Sequence, residues 1–407
     1  MKKLTASLIS VILLLMLASC EVIGGFGNTA DFNSDQFLER YDHDRVWMHI
    51  IPISCRADNV ICFTSPTLSN SPYIRYADLE SGFSGPLCGK PECRHTDQTC
   101  NAYIFSNTAE GISYYDGRIY WAGSDLQGAH IFSSALDGTD RRTVRDLDRS
   151  VFTKPGSNRF IIFHRGYMYL CGGTFEVTDG ITTYGCFLSS VPIDGNEAET
   201  VIWENNYSDP EIGVKWFMQG YRTSLYFMEM TWKGDAHTMT LCRWDAADQE
   251  LETLFDGEVP FSPYEFWVEE DGVLFSSTLC GEIYKYEFES GEISLLFDFN
   301  SDGSAYEGCH FADDKLVSWV LDDDQNHVVR VTDFAGNIVF NETLDIPEYR
   351  ESGWSTVFCG ADQDNLYFQL SFMLEESNHV NEENEELVSV SLDTGEVRVL
   401  WSGKAET

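Results

Sequence analysis

Two hydropathic phrases alternate along this chain. One is a polar pair followed by an apolar, aromatic run. It occurs as Asp58-Asn59 before VICF, Asp116-Gly117 before RIYW, Arg165-Gly166 before YMYL and Arg222-Thr223 before SLYF. It continues as Asp271-Gly272 before VLF, Asp314-Lys315 before LVSWV and Asp364-Asn365 before LYFQL. The other is an alternating run closed by a polar turn. These turns are Glu80-Ser81-Gly82, Asp137-Gly138, Asp194-Gly195, Asp245-Ala246-Ala247-Asp248, Glu289-Ser290-Gly291, Phe334-Ala335-Gly336 and Asp393-Thr394-Gly395. Period-two alternation buries one face of a strand, and Asp-Gly pairs suit a tight hairpin.

Seven copies of each phrase, in strict order, read as a repeat. Between a turn of the second kind and the next of the first lies one more strand pair, as in ETLFDGE followed by EFWVEEDG. Each unit is then strand A, turn, strand B, loop, strand C, turn, strand D. Seven units over residues 44–403 have a period of about 51 residues, in the range of the longer propeller repeats. The expected fold is all-β: a seven-bladed β-propeller of four-stranded antiparallel blades. Two β-sandwiches would also give short strands, but they leave the two alternating turn types unexplained. Asp44 to Ser54 is expected as the inner strand of the first blade, and residues 398–401 as the outer strand of the last. One blade cannot bury both of its faces, so the Tyr, Phe and Trp of strand B are expected between blades. The unit Arg118 to Arg142 resembles the YWTD-type propeller repeat in its IYW and its LDGTDRR ending. That resemblance implies a fold and no particular partner.

The first 43 residues do not share the repeat. Lys2 and Lys3 precede an apolar stretch from Leu4 to Leu17, shorter than the ~20 residues that span a bilayer. It ends in Leu17-Ala18-Ser19-Cys20, which resembles the bacterial lipobox. The resemblance implies a signal peptide over residues 1–19, cleavage before Cys20 and lipidation of that thiol. Residues 20–43, rich in Gly, Asn, Ser and Asp, read as a lipidated flexible tether. The expected location is the extracytoplasmic face of the cell membrane.

Composition narrows the partners. Of 407 residues, 66 are Asp or Glu and 26 are Lys or Arg, for a formal net charge of -40. Such a field repels phosphate backbones, so nucleic acid is not an expected partner. It suits solubility, cations or basic partners.

The densest chemistry is LCGKPECRHTDQTCNAY, within an expected loop at 86–102. Cys88, Cys93, His95 and Cys100 are spaced C-x4-C-x-H-x4-C. Three thiolates and an imidazole are a tetrahedral zinc set. A disulfide within the loop is the rival reading for an exported chain, and free thiols are the third. Twelve cysteines less a lipidated Cys20 leave an odd number, so full pairing is impossible. Cys171, Cys186, Cys242, Cys280, Cys309 and Cys359 fall in or beside expected strands, where a thiol acts as a small apolar group. Cys55 and Cys62 are expected to face the first-blade core. The stretch resembles a pattern shared by uncharacterised propeller-like lipoproteins of anaerobic Gram-positive bacteria such as Clostridia. It implies an address and a fold. Asp298, Asn300, Asp302 and Gly303 resemble the start of a calcium loop, but the closing Glu is replaced by Cys309, and an ordinary turn is the expected reading.

His130, His237 and His327 are expected just before strand C of their blades, and the repeat accounts for them. Acidic runs at 322–324 and 382–386 read as solvated tips of B–C loops. Propeller ligands meet the D–A and B–C loops. Trp216, Tyr264, Tyr306 and Trp354, with Tyr207 and Tyr349, are expected in the D–A loops, and Trp232 with Lys233 in a B–C loop. Rim packing is the plain alternative for each. There is no G-x-S-x-G and no H-E-x-x-H. The expected function is a lipid-anchored, non-catalytic binding module for protein, peptide or glycan. The alternative is a glycan-active hydrolase or lyase using acids on the channel face.

Overall fold

The computed structural model describes residues 54–57, 59–64, 73–104, 110–124, 128–147, 159–178, 181–193, 198–207, 209, 211–277, 281–298, 305–312, 315–321, 327–343, 353–373 and 383–404. The signal segment, Cys20, the tether and residues 44–53 lie outside the described residues, as do Cys280 and 299–304 of the calcium-loop candidate.

Local turn chemistry cuts the chain into strands. Asp116 and Gly117 have φ of 46° and 74°, and Arg165 and Gly166 have 47° and 81°. Two successive positive φ values make the hairpin whose twist matches antiparallel strands. Tyr115 therefore pairs with Arg118, and His164 with Tyr167. In the second kind of turn, Oδ1 of Asp78, Asp137, Asp245 and Asp333 accepts backbone N–H groups two residues on.

Seven four-stranded antiparallel sheets result, each from four consecutive strands. Blade 1 holds β1 (Ser54–Ala57), β2 (Val60–Phe63), β3 (Arg75–Asp78) and β4 (Ser84–Pro86). Blade 2 holds β5 (Glu110–Tyr115), β6 (Arg118–Ser124), β7 (Ala129–Ala135) and β8 (Arg142–Leu147). Blade 3 holds β9 (Arg159–His164), β10 (Tyr167–Thr178), β11 (Ile181–Pro192) and β12 (Thr200–Tyr207). Blade 4 holds β13 (Gly213–Tyr221), β14 (Ser224–Lys233), β15 (Ala236–Asp245) and β16 (Glu250–Val259). Blade 5 holds β17 (Pro263–Val268), β18 (Gly272–Ser277), β19 (Glu282–Glu287) and β20 (Ile293–Asp298). Blade 6 holds β21 (Ala305–Ala312), β22 (Lys315–Leu321), β23 (His327–Asp333) and β24 (Ile338–Thr343). Blade 7 holds β25 (Gly353–Ala361), β26 (Asn365–Met373), β27 (Glu383–Ser391) and β28 (Val397–Lys404).

The first strands follow one another around a ring: β1 meets β5, β5 meets β9, β13 meets β17, β17 meets β21, β21 meets β25, and β25 returns to β1. At the remaining joint β13 meets β10 and β11. The molecule is a seven-bladed β-propeller with its first strands around the channel. β28 is the outer strand of the last blade, as the pattern implied.

The described inner strand of blade 1 is Ser54–Ala57, and residues 44–53 of the expected Asp44 to Ser54 strand lie outside the described residues. Two expectations are corrected. His130, His237 and His327 stand inside β7, β15 and β23 rather than before them. Residues 383–386 belong to β27, and Glu385 is fully buried rather than a solvated tip.

The core is a set of seams. Phe132 and Trp121 of blade 2 pack on Cys62 and Ala57 of blade 1. Tyr120 meets Phe163 between blades 2 and 3, with ring centroids 5.5 Å apart. Phe217 meets Phe266 between blades 4 and 5 at 6.4 Å, and Trp319 meets Phe368 between blades 6 and 7 at 4.6 Å. Among the described residues no strand is exchanged where the ring closes. Phe63 instead packs on Trp401 at 5.2 Å, Arg75 lies over that indole, and Arg56 donates to the Ala361 carbonyl at 2.7 Å.

Polar side chains cross the seams close to the channel. Gln219 Oε1 accepts from Val268 N at 2.8 Å, and Glu265 Oε2 accepts from Phe311 N at 3.1 Å. His164 Nε2 donates to the Arg222 carbonyl at 3.1 Å, and Gln369 Nε2 to the Thr64 carbonyl at 3.2 Å. Glu265 also binds His310 Nδ1 at 2.8 Å. Both of these last side chains are buried.

Two stability predictions arise from these bridges. Glu265→Leu orphans a buried backbone N–H and a buried imidazole. It is expected to lower unfolding free energy by about 2–4 kcal/mol in denaturant titration, with Glu265→Gln recovering part. Burial, reinforced by Arg165, depresses His164 from 6.5 to about 3. The unfolded chain therefore binds the extra proton between those values. Stability carried by His164 is complete above pH 6.5 and falls by about 1.4 kcal/mol per pH unit below it. Comparing the wild type with His164→Asn at pH 7 and pH 5 should show that slope only in the wild type.

Candidate functional site

Blade 1 has short strands: four residues in each of β1, β2 and β3, and three in β4. Such strands cannot cover the seam to blade 2. The segment 87–104 folds back to do so, burying Leu87, Cys100, Ala102 and Ile104 against Ile119, Trp121 and Phe132. Leu87 N donates to the Ile74 carbonyl and Ile74 N to the Ala102 carbonyl, at 2.8 and 2.9 Å.

The second turn of blade 2 receives the loop. Gly89 N and Asn101 Nδ2 both donate to the Gly138 carbonyl, at 2.9 and 2.8 Å. Arg141 Nη1 gathers the carbonyls of Cys100, Asn101 and Tyr103, at 3.2, 3.2 and 2.5 Å. Its guanidinium lies over Trp121 and Phe132. The Nη1 donor and the cation–π contacts together lock the loop's second half.

This loop brings Cys88, Cys93, His95 and Cys100 together, with all ligand atoms within 4.8 Å of one another. His95 Nδ1 lies 3.3 Å from Cys100 Sγ. His95 adopts φ of 54°, an uncommon conformation for a side-chain-bearing residue, which the surrounding loop holds in place. Tetrahedral zinc with Zn–S of about 2.3 Å sets sulfurs roughly 3.8 Å apart, so a small contraction would close the set. Cys88, Cys93 and Cys100 are free thiols. Burial pushes the Cys88 thiol up, but N–H donors of Lys90 and Asn101 and the neighbouring thiols outweigh it, and the net shift is downward. Burial dominates at Cys100 and pushes it up to about 12, with an opposing N–H from Ala102. Amide donors aimed at sulfur are the outer support that a thiolate–metal set needs. The cluster could hold a metal ion such as zinc, with no coordination position left to water.

The aromatic candidates do not converge. Trp216 lies in β13, not in a loop, and packs in the seam between blades 3 and 4, its indole against Gly173. Trp232 stands next to the last residue of β14 on the opposite face, toward blade 5. Tyr264 lies in β17, 5.9 Å from the His310 ring in the next seam. Tyr207 ends β12 and donates to Glu229. Tyr306 and Trp354 fall in β21 and β25, with side chains outside the described residues, as is Tyr349. Alternation decides this: Trp216 and the residue opposite Trp232, Gly213, are three apart on β13 and so point to different faces.

Sequence reading missed the buried acids. Glu229 accepts from Cys186 Sγ, Trp203 Nε1, Asn205 Nδ2 and Tyr207 Oη. Glu385 accepts from Gln369. The available signal was a carboxylate inside an apolar run, as in SLYFMEMTW. Cys62, Cys171, Cys186, Cys242, Cys309 and Cys359 are buried thiols, in keeping with the small-apolar reading. A groove of about 430 Å³ marks the closing seam, lined by Glu80, Asp362, Tyr367, Glu396, Arg398 and Leu400 among others.

Fold and site thus define a seven-bladed propeller with a cluster of three cysteines and a histidine between its first two blades. No family model and no curated protein matches the chain. Among solved structures it is similar to acylaminoacyl peptidase in complex with Z-Gly-Gly-Phe-chloromethyl ketone. That pair has 13% identity and a TM-score of 0.51, covering 86% of this chain and 51% of the other. The chain therefore spans about half the length of that protein. Prolyl oligopeptidase B from Galerina marginata gives 10% identity and a TM-score of 0.48, over 93% of this chain and 54% of that one. The nidogen/laminin complex gives 11% and 0.36, over 67% and 90%. At these identities the likeness is one of fold.

The loop's seat can be tested at two glycines that share φ of +74°. A Cβ on Gly117 would meet nothing within 4 Å, whereas one on Gly138 would lie 2.5 Å from Cys88 N and 2.7 Å from its Cα. Gly117→Ala is expected to cost about 1 kcal/mol from backbone conformation alone. Gly138→Ala should cost distinctly more and weaken metal uptake, read by thermal melting and by zinc content.

Proposed function

We propose that this chain is a lipid-anchored, non-catalytic binding module on the extracytoplasmic face of a bacterial membrane. Its ring is clipped by a structural zinc ion held by Cys88, Cys93, His95 and Cys100. The ligand is a protein, peptide or glycan that meets the D–A and B–C end of the ring. Residues 17–20 support the anchor through their lipobox spacing.

The observation that favours binding over catalysis is the use made of the buried acids. Glu229, Glu265 and Glu385 are each engaged as hydrogen-bond acceptors, the first two across seams. A glycosidase needs two carboxylates facing each other across a cleft. Glu229 and Glu265 instead hold neighbouring blades together, and Glu385 accepts from Gln369 within blade 7. The metal set points the same way: four protein ligands make a closed site, which stabilises a fold rather than activating a water.

Full-length protein purified without oxygen should carry one zinc per chain by elemental analysis. Cys93→Ser and a strong chelator should each lower the melting temperature. A glycan and peptide array should then report binding without turnover. Metal-free protein whose three cluster thiols all alkylate freely would remove the zinc clip. Cleavage of an arrayed glycan would replace the binding module by the hydrolase or lyase reading.

A further inference from the structure

In the seam between blades 4 and 5, polar groups without a hydrogen-bond partner among the described residues lie beside an indole and a cation. On the blade 4 wall, Gly213, Trp232, His237 and Val259 pair in one row across the four strands, all facing blade 5. Lys215 stands in the next row, opposite Met230. Phe217 follows, and it meets Phe266 of blade 5. On the facing wall, Phe275 pairs with Phe266, and Ser277 stands one pleat beyond Phe275 on the same side of β18. Lys215 and Ser277 thus flank the seam from opposite walls, each about 7 Å beyond the Phe217–Phe266 contact. This is the end of the ring where β14 turns into β15.

Each group there has unused capacity. Lys215 is half-buried and has no carboxylate within 4 Å among the described residues, in a chain where acids outnumber bases 66 to 26. Other lysines are engaged: Lys233 by Asp209 and Glu211, Lys285 by Asp271, and Lys90 by the Thr99 carbonyl. Burial holds the Lys215 ammonium below the usual lysine range. His237 Nδ1 and Ser277 Oγ are buried and make no hydrogen bond among the described residues, and Ser277 is only 5% exposed. A half-desolvated cation and two unsatisfied polar atoms are costly unless something binds them. Beside them lies an aromatic plate. The Trp232 indole rests on Gly213, where an added Cβ would come within 2.0 Å of Cε2. The Lys215 ammonium sits 5.8 Å from the ring centroid.

We propose that Lys215, Trp232, His237 and Ser277 form a subsite for a uronic-acid unit of an acidic glycan. The inference rests on the binding-module reading and names the ligand class. The indole offers an apolar plate to the sugar ring. Lys215 pairs with the carboxylate, and His237 Nδ1 and Ser277 Oγ take ring hydroxyls. One carboxylate per ring suits one unpaired ammonium, and it meets less opposition from the acidic surface than a phosphate chain would.

The probes are trigalacturonate and its fully methyl-esterified form, which share rings and linkage and differ in charge. Titration calorimetry on the full-length chain in detergent, at low salt, should show the acid binding at least 10-fold tighter. That gap should shrink in strong salt, because the pair is only half-buried. Lys215→Met should abolish the gap without lowering the melting temperature, and Lys215→Arg should keep it. Gly213→Ala should weaken both ligands by displacing Trp232. Equal binding of acid and ester, or a gap that survives in Lys215→Met, overturns the subsite. If neither probe binds while the array yields another ligand, the subsite falls and the binding module stands. If nothing on the array binds, both fall.

Discussion

A four-stranded antiparallel sheet leaves its first strand with a bare edge. In this ring that edge faces a channel, where backbone groups still require partners. The solution is the side chain of the neighbouring blade. Gln219 and Glu265 accept from Val268 and Phe311 of first strands, while His164 and Gln369 reach across to the carbonyls of Arg222 in a turn and Thr64 after β2. Apolar packing between blades is plentiful but non-directional. These bridges give four of the seams a definite register, and they explain why a propeller with an aliphatic and aromatic core keeps carboxylates and imidazoles buried within it.

The ring is as sound as its weakest joints, and two joints are weak for evident reasons. Blade 1 is too short to cover its seam to blade 2, and the loop at 87–104 fills that gap with its own apolar side chains and its thiols. Where the ring closes, the two blades come from opposite ends of the repeat and, among the described residues, exchange no strand. Phe63, Trp401, Arg75 and Arg56 take over there. Once both joints are clipped the blades form a stiff base. The loops at the D–A and B–C end can then differ from blade to blade without cost to the fold.

Function follows from where polarity is spent and where it is left over. In the seams between blades 3 and 4 and between blades 5 and 6, Glu229 and Glu265 are surrounded by donors. In the seam between blades 4 and 5, Lys215, His237 and Ser277 are not provided for in the same way. A site is recognisable by that contrast more than by residue type. Trp216 and Trp232 look alike in the sequence, yet the first is packed against Gly173 and the second borders the unprovided cation.

Turn chemistry is local, so the hairpins, their alternation and the number of blades could be read directly from Asp-Gly pairs and period-two runs. The same holds for the C-x4-C-x-H-x4-C set, whose members sit within one loop and need no distant partner to meet. The places of His130, His237 and His327 inside their strands were not legible, because where a strand begins depends on what its partner can pair, which no single segment reveals. Which face a strand residue presents, which acids are buried and which lysine lacks a carboxylate among the described residues were settled only in the folded ring. Those properties belong to pairs of residues brought together from different blades, and pairing across a seam leaves no mark on either strand taken by itself.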